Sequence, residues 1–501
     1  MKVSLSLIFF LFELFDHIEG SNLEVAYQWK YLDWVRPAVR LTGRNFTLGN
    51  PFTQDVDVDR HGRIFVTSPQ WLHGTPISLS VLSNVNGPGG PLLIPYPNWK
   101  WHTAASGCDS IISVYRLAID ECNRLWVVDT GRMGKNAVCP TKILIFDLDR
   151  DELIHKYVVP ADQVLYGKAA LVTPIVDIGK TCLDAYLYVA DVDQNGIFVY
   201  DLYKNYSWRL SNTAGNAFGP DKDAMNITIA GESFDLTDGT LGMSLSPVGF
   251  YDHRYLYFNS LASYYQKFMD TLSLKESEFQ EPVIFRSNYK RASQAGVQAT
   301  SRRGVIFFQL VQLTAIACWD IEKPFAPENI VIISQDEETL QYVSGIKVIT
   351  NKYGEEELWF NTNRLQKTIN MTLKPTETNF RLIRGKVDDI IRATRCEPSP
   401  SLRHRAPDMT FCFIELLDTA SLYSLLAPLL VPSNWGDGEG QRGYNSGPPS
   451  GGRARRWEVG QMRIHEELFA LLSRYPGDTN RARNSAKLVS PISLSMARFG
   501  V

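Results

Sequence analysis

Apolar positions along this chain recur in short runs rather than at helical spacing. The clearest run, Leu125-Trp126-Val127-Val128, is entered through Asp120-Glu121-Cys122-Asn123-Arg124 and left through Asp129-Thr130-Gly131. Polar punctuation on both sides of four apolar residues predicts a turn and then a strand buried on both faces. The pattern returns as Ile64-Phe65-Val66, Leu187-Tyr188-Val189, Leu256-Tyr257-Phe258, Val305-Ile306-Phe307 and Leu358-Trp359-Phe360. The six centres, Phe65, Trp126, Tyr188, Tyr257, Ile306 and Trp359, are 61, 62, 69, 49 and 53 residues apart.

Around each centre the order is strand, tight turn, strand, longer loop, strand. In the second unit it runs Ile111–Ile119, Asp120–Asn123, the Trp126 strand, then Lys142–Asp147; the third repeats it from Ile175 to Asp201. A blade-sized unit with about four antiparallel strands cannot bury both faces alone, and radial stacking of six copies solves that problem. The expected fold is therefore all-β, a six-bladed β-propeller with four-stranded blades. Residues 24–35 alternate as an amphipathic strand and are placed to pair with the last blade, closing the ring and hiding its edge. The only helical segment foreseen before residue 397 is a loop helix near Ser273–Glu278.

Composition changes this picture at the two ends. Lys2 followed by an apolar stretch to Phe12, with Gly20 before Ser21, reads as a secretory signal peptide over residues 1–20, since about ten apolar residues are too few to span a bilayer. The propeller is expected over residues 21–396. Residues 397–501 hold eleven Arg and one Lys, whereas residues 1–396 hold nineteen Lys, a break that marks the tail as foreign to the repeats. Gly436–Gly452, rich in Gly, Ser and Pro, makes that extension largely disordered. Phe411–Val431 is apolar, but Glu415 and Asp418 within it argue against a membrane span. A net charge of −3 over 501 residues gives no reason to expect nucleic acid.

Export would make four sequons, at Asn45, Asn205, Asn226 and Asn370, available for N-glycans. It also favours pairing of cysteines. Cys122 and Cys182 lie at equivalent turns of neighbouring units, and Cys108 and Cys139 at the opposite end of unit two. The expected pairs are Cys108–Cys139 and Cys122–Cys182, with Cys318–Cys396 tying unit five to the closing segment and Cys412 left over. No Cys/His spacing points to a metal, and no cofactor is expected.

In a propeller the ends of the six second strands meet around one mouth of the channel. Those ends carry Ser68 and Gln70, Asp129, Asp191, Asn259 and Ser260, Gln309, and Asn361 to Asn363. Such a ring suits a cationic amine, with Asp129 or Asp191 as counter-ion. The competing reading of Asp129, and of Asp191 and Asp193 beside Asn195-Gly196, is that each caps a loop through its own backbone. Asp55, Asp57 and Asp59 alternate as an exposed strand face would. His61 and His102 have no neighbouring nucleophile that would form an acyl-transfer triad. The triplet aromatics belong to the core between blades.

Leu93-Ile94-Pro95-Tyr96-Pro97-Asn98-Trp99, the Asp120–Gly131 stretch and Trp359-Phe360-Asn361-Thr362-Asn363-Arg364 resemble the yellow/major royal jelly protein family of insects over about residues 24–396. The resemblance implies a secreted six-bladed propeller. It also implies a choice of roles: amine binding, dopachrome conversion in melanin synthesis, or a nutritive or structural role without ligand. In amine-binding members the ligand meets the Asn matched by Asn363 and the backbone two residues on, here Leu365 where the family often has an aromatic, with Ser344 as a hydroxyl contact. The expected function is binding of a small aromatic amine or catechol-type metabolite at the channel mouth. The alternative is a dopachrome-converting isomerase with Asp129 or Asp191 as base.

Overall fold

The computed structural model describes residues 22–211, 217–278 and 281–399, together with the backbone of Cys412–Phe413. The expected signal peptide, the glycine-rich stretch and, apart from the backbone of Cys412–Phe413, the apolar segment of the tail lie outside the described residues, as does the side chain of Cys412. The backbone of Cys412–Phe413 pairs antiparallel with Phe285–Arg286.

Six antiparallel sheets stand in a ring. From the axis outward, blade one is Asp55–Val58, Ile64–Thr67, Leu79–Gly87 and Gly90–Pro95. Blade two is Val114–Ile119, Arg124–Asp129, Lys142–Asp147 and Glu152–Val158. Blade three is Leu171–Ile178, Ala185–Asp191, Gly196–Asp201 and Tyr206–Ser211. Blade four is Thr240–Leu245, Tyr255–Ser260, Lys267–Asp270 and Phe285–Arg286. Blade five is Ala295–Thr300, Val305–Leu310, Ala315–Asp320 and Ile330–Gln335. Blade six takes Tyr342–Thr350, Glu356–Asn363 and Phe380–Lys386 from the end of the propeller and Glu24–Trp29 from its beginning. That last pairing runs antiparallel from Glu24 opposite Arg384 to Trp29 opposite Phe380, so the ring closes as the alternation of residues 24–35 foretold.

Every second strand is sandwiched between neighbouring blades, which is why its apolar run is continuous rather than alternating. Phe65, Trp126, Tyr188, Tyr257 and Ile306 are fully buried, and Trp359 nearly so. The turn before each run has its own chemistry. Asp120 Oδ1 accepts from the backbone N–H of Cys122 and Arg124, while Oδ2 accepts from Arg124 Nε and Trp126 Nε1, each at 2.7 Å. Arg124 then lies 5.4 Å over the Trp126 ring. Blade one repeats the device with Asp59, Arg63 and Phe65. In blade six Asn351 accepts from the backbone of Tyr353 and Glu355, and Glu357 takes the Trp359 N–H. In blades one and two a single aspartate thus builds the turn and anchors the start of the buried strand, whereas in blade six Asn351 and Glu357 divide the two tasks.

The foreseen loop helix is Thr271–Lys275, capped by Asp270 accepting from Leu272 N. Cys108–Cys139, Cys122–Cys182 and Cys318–Cys396 are joined, with Cα separations of 5.4, 6.1 and 6.0 Å. One expectation is overturned. Asp55, Asp57 and Asp59 are buried, not exposed. Asp55 and Asp57 accept from the backbone N–H of Leu117 and Ile119 on the next inner strand, because neighbouring inner strands need polar stitches where they splay around the axis.

Candidate functional site: the upper funnel of the channel

The second-strand ends converge on one mouth of the channel, but most of their polar groups face into the seams between strands. Asp129 is fully buried: its carboxylate accepts from the backbone N–H of Ile112, Ser113 and Gly131 and is neutralised by Lys142 Nζ at 2.7 Å. Gly131, at φ +65°, is required there, since a Cβ would stand 2.1 Å from the Cys139 carbonyl oxygen. Asp191 accepts from Ala170, Asp193 and Gln194 N–H groups and pairs with Arg209 at 2.6 Å. Both acids therefore take the loop-capping role.

The amides do a related job between blades. Gln70 donates to the Ile112 carbonyl, Asn259 to the carbonyls of Ala295 and Gly296, and Gln309 to those of Leu340 and Gln341. Asn363 donates to the Thr53 carbonyl and to Ser344 Oγ, which also accepts from Asn361. The Asn and Gln ends staple blade one to two, four to five, five to six and six to one. Their acceptor oxygens on Asn259, Asn361 and Asn363 are buried without a partner.

Inside this scaffold lies an open funnel with about 720 Å³ of free space, solvent at its mouth included. Its wall combines the rings of Trp71, Tyr115 and Tyr342 with Ala170, Val172, Leu241 and Leu261, and Leu365 forms part of the lip. Neither Asp129 nor Asp191 lines it; Asp193 and Asp238 do. Asp193 Oδ2 is held by Arg132 Nη1 at 2.7 Å. Asp238, in the approach to the inner strand of blade four, has no side-chain hydrogen bond or ion pair among the described residues. Burial, reinforced by the nearby Asp193 charge and opposed by Arg116, pushes its carboxyl up to about 7. Desolvation also raises Tyr115 and Tyr342 to about 12, so both phenols stay protonated.

The floor of the funnel is Arg116, which also borders the space on the other side of the channel. Its Nε donates to the Ser344 carbonyl at 2.8 Å and its Nη1 to Thr173 Oγ1 at 3.3 Å. Ser344 and Asn363 thus stand behind the floor rather than in it. Beyond Arg116 a larger cavity, about 1560 Å³ with open solvent, opens at the opposite end. Its basic groups are already paired, Lys347 with Asp55, Arg302 with Glu356, Arg254 with Asp177 and Arg60 with Asp149, and Asp57, which burial also pushes up to about 7, accepts from the backbone N–H of Val58 and Ile119. Size favours the lower cavity, whereas unpartnered chemistry favours the upper one.

A family profile described as major royal jelly protein matches residues 112–396. Major royal jelly protein 9 of Apis mellifera is 38% identical, over 76% of this chain and 91% of that protein. The chain belongs to the yellow/major royal jelly protein family. A Drosophila melanogaster relative named dopaminechrome tautomerase is 34% identical over 76% of this chain and 85% of its own length. Protein yellow of the same fly is 33% identical over 75% of this chain and 71% of that protein.

Within this royal jelly-type propeller, sequence reasoning located the mouth but not its carboxylate. Asp238 sits in Phe234-Asp235-Leu236-Thr237-Asp238-Gly239-Thr240, a polar stretch without strand periodicity. The available signal was its position just before a predicted inner strand, the place in each blade that opens onto the axis.

Proposed function

We propose that this chain is an exported yellow-type propeller that binds a small aromatic amine or catechol-type metabolite in the upper funnel. The observation that carries the reading is Asp238: a carboxyl group without a protein partner, partly open to a funnel walled by tyrosine and tryptophan rings. An unpartnered acid in a desolvated site is costly unless a ligand supplies the missing partner. Aromatic walls suit a flat ring, and the ionised form of Asp238 suits its ammonium group. In this reading Leu365 contributes to the lip, Ser344 and Asn363 hold the floor, and Asp129 and Asp191 keep the loops in place.

Export is supported by three disulfides and by the exposure of Asn45, Asn205, Asn226 and Asn370. Calorimetric titration of the full chain with serotonin, dopamine and octopamine tests the binding role. Saturable binding that weakens in Asp238→Asn is expected; binding unaffected by that change would place the site elsewhere.

A second reading, an isomerase acting on an aminochrome, is favoured by the same group. An acid–base catalyst works best with a pKa near the working pH, and Asp238 lies close to that range. It would take a proton from a ring carbon while another proton reaches oxygen, with no net redox change. The named activity of the Drosophila relative makes dopaminechrome the first substrate to try. Consumption no faster than the spontaneous reaction would discard this reading.

A further inference from the structure

We propose that the outer half of blade four, away from the channel, holds a small monovalent anion, chloride, between Lys267 and Arg286. This site is separate from the upper funnel and owes nothing to what the channel binds.

The third strand of blade four, Lys267–Asp270, lies between the second strand and the outer strand Phe285–Arg286. Lys267 is the ladder partner of Phe258 on one side and of Arg286 on the other. Their three side chains therefore form a row on one face of the sheet, with opposed Cβ atoms about 5 Å apart, where like charges repel. Phe258 and Met269 on this face share a hydrophobic cluster with Ile197 and Val199 of blade three. Lys267 is only 3% exposed, and Arg286 is half-buried.

Neither cation forms an ion pair among the described residues. Lys267 Nζ donates to the Ala217 carbonyl at 2.6 Å, its one protein acceptor among those residues. Arg286 lies 4.5 Å over the Tyr265 ring, and its Nε is buried without a hydrogen-bond partner. Arg291, also buried, adds a third positive charge nearby. The carboxylate whose charge reaches both Lys267 and Arg291 is Asp221, which accepts from Ser263 Oγ at 2.6 Å and pairs with neither cation. Residues 212–216, which lead into Ala217, carry no acid. Buried cations elsewhere in the blades are neutralised directly, Lys142 by Asp129, Arg124 by Asp120 and Arg209 by Asp191.

Three cations against one carboxylate leave a surplus of positive charge where water scarcely reaches, and buried charge is costly unless paired. Burial pushes Lys267 down to about 8, opposed by Asp221 and reinforced by Arg286 and Arg291, so the amine stays largely protonated at neutral pH. An anion between Lys267 and Arg286 converts their repulsion into charge-assisted hydrogen bonds, taken from ammonium hydrogens and from the Nε–H that lacks an acceptor. Desolvation cost rises with the square of ionic charge, and the unmatched buried donors are few. Both facts favour a monovalent ion over sulfate or phosphate.

The test is a set of thermal melts of the full chain at constant ionic strength, with sodium gluconate replaced stepwise by sodium chloride, bromide or sulfate. Chloride should raise the melting temperature along a saturating curve by about 2 °C or more, as a ligand of the folded state does, and bromide should follow it. In Lys267→Met, which removes the charge and keeps an apolar stem, the chloride curve should be flat. Arg286→Gln, at a half-buried position, should move the midpoint to about tenfold higher chloride, the loss of one charged contact. If Lys267→Met does not fold, Arg286→Gln decides, and an unmoved midpoint there would overturn the proposal. Coincident melts in gluconate and chloride would overturn it too, as would an equal chloride rise in Lys267→Met, the mark of a general salt effect. Saturable stabilisation by sulfate alone would overturn the choice of a monovalent ion.

Discussion

Asp120 and Asp238 show how differently one residue type is used in this propeller. Asp120 gathers four donors from its own turn and its own strand, so replacing it by alanine leaves a buried guanidinium and a buried indole N–H without an acceptor. Asp120→Ala is expected to cost roughly 3 kcal/mol, read from urea unfolding, as breaking a buried charged pair does. Asp238 has the opposite character. Its folded pKa is raised above the unfolded carboxylate value, so the folded state holds the proton more tightly. The stabilising effect of that proton is present at low pH and is lost as pH rises from about 4 to about 7. Asp238→Asn should therefore gain stability over wild type across that window and level off above it, by thermal melts from pH 4 to 8. His102 runs the other way. Burial lowers it to about 4, so the folded state favours neutral imidazole and loses stability as pH falls from about 6.5 toward 4. The Asp120 turn was legible from local spacing. The state of Asp238 was not, since it depends on Asp193, Arg116 and the surrounding wall, which meet only in three dimensions.

Among the elements, the closing strand Glu24–Trp29 has the largest leverage. It is the outer strand of blade six, far in sequence from its partner Phe380–Lys386, and Trp29 is buried with its Nε1 donating to the Pro91 carbonyl. Trp29→Ala removes a buried ring at the junction of the first and last blades and should cost about 3–5 kcal/mol by equilibrium unfolding. The Cys318–Cys396 link fastens the segment beyond blade six to the third strand of blade five. Paired replacement of both cysteines by serine should lower stability by up to about 4 kcal/mol, given a loop of that length. Amphipathic alternation foretold the closing strand, because one face meets blade six while the other remains half-wet. The burial of Asp55 and Asp57 escaped the same logic. Polar alternation looks identical whether the polar side meets water or the backbone of a neighbouring inner strand.

For the molecule as a whole, six copies of one turn-and-strand pattern determined the architecture before any coordinates. Each copy needs a partner on both faces, and a closed ring is the arrangement that supplies twelve covered faces without leaving two bare. The sequence likewise located the channel mouth, since strand alternation brings the second-strand ends to one side. What it could not assign was the division of labour there. Of the groups that resemble a ligand ring in the linear order, the amides are consumed as staples between blades and the acids as caps of their own blades' loops, because radial packing leaves backbone groups in the seams that water cannot reach. The charged groups at the funnel that stay without an ion pair among the described residues, Asp238 on the wall and Arg116 on the floor, come from an aperiodic loop and an ordinary inner strand. Local pattern determines which residues form strands and how many blades there are. Only the tertiary structure decides which charges are neutralised and which remain unpaired, because that depends on neighbours brought together from every blade.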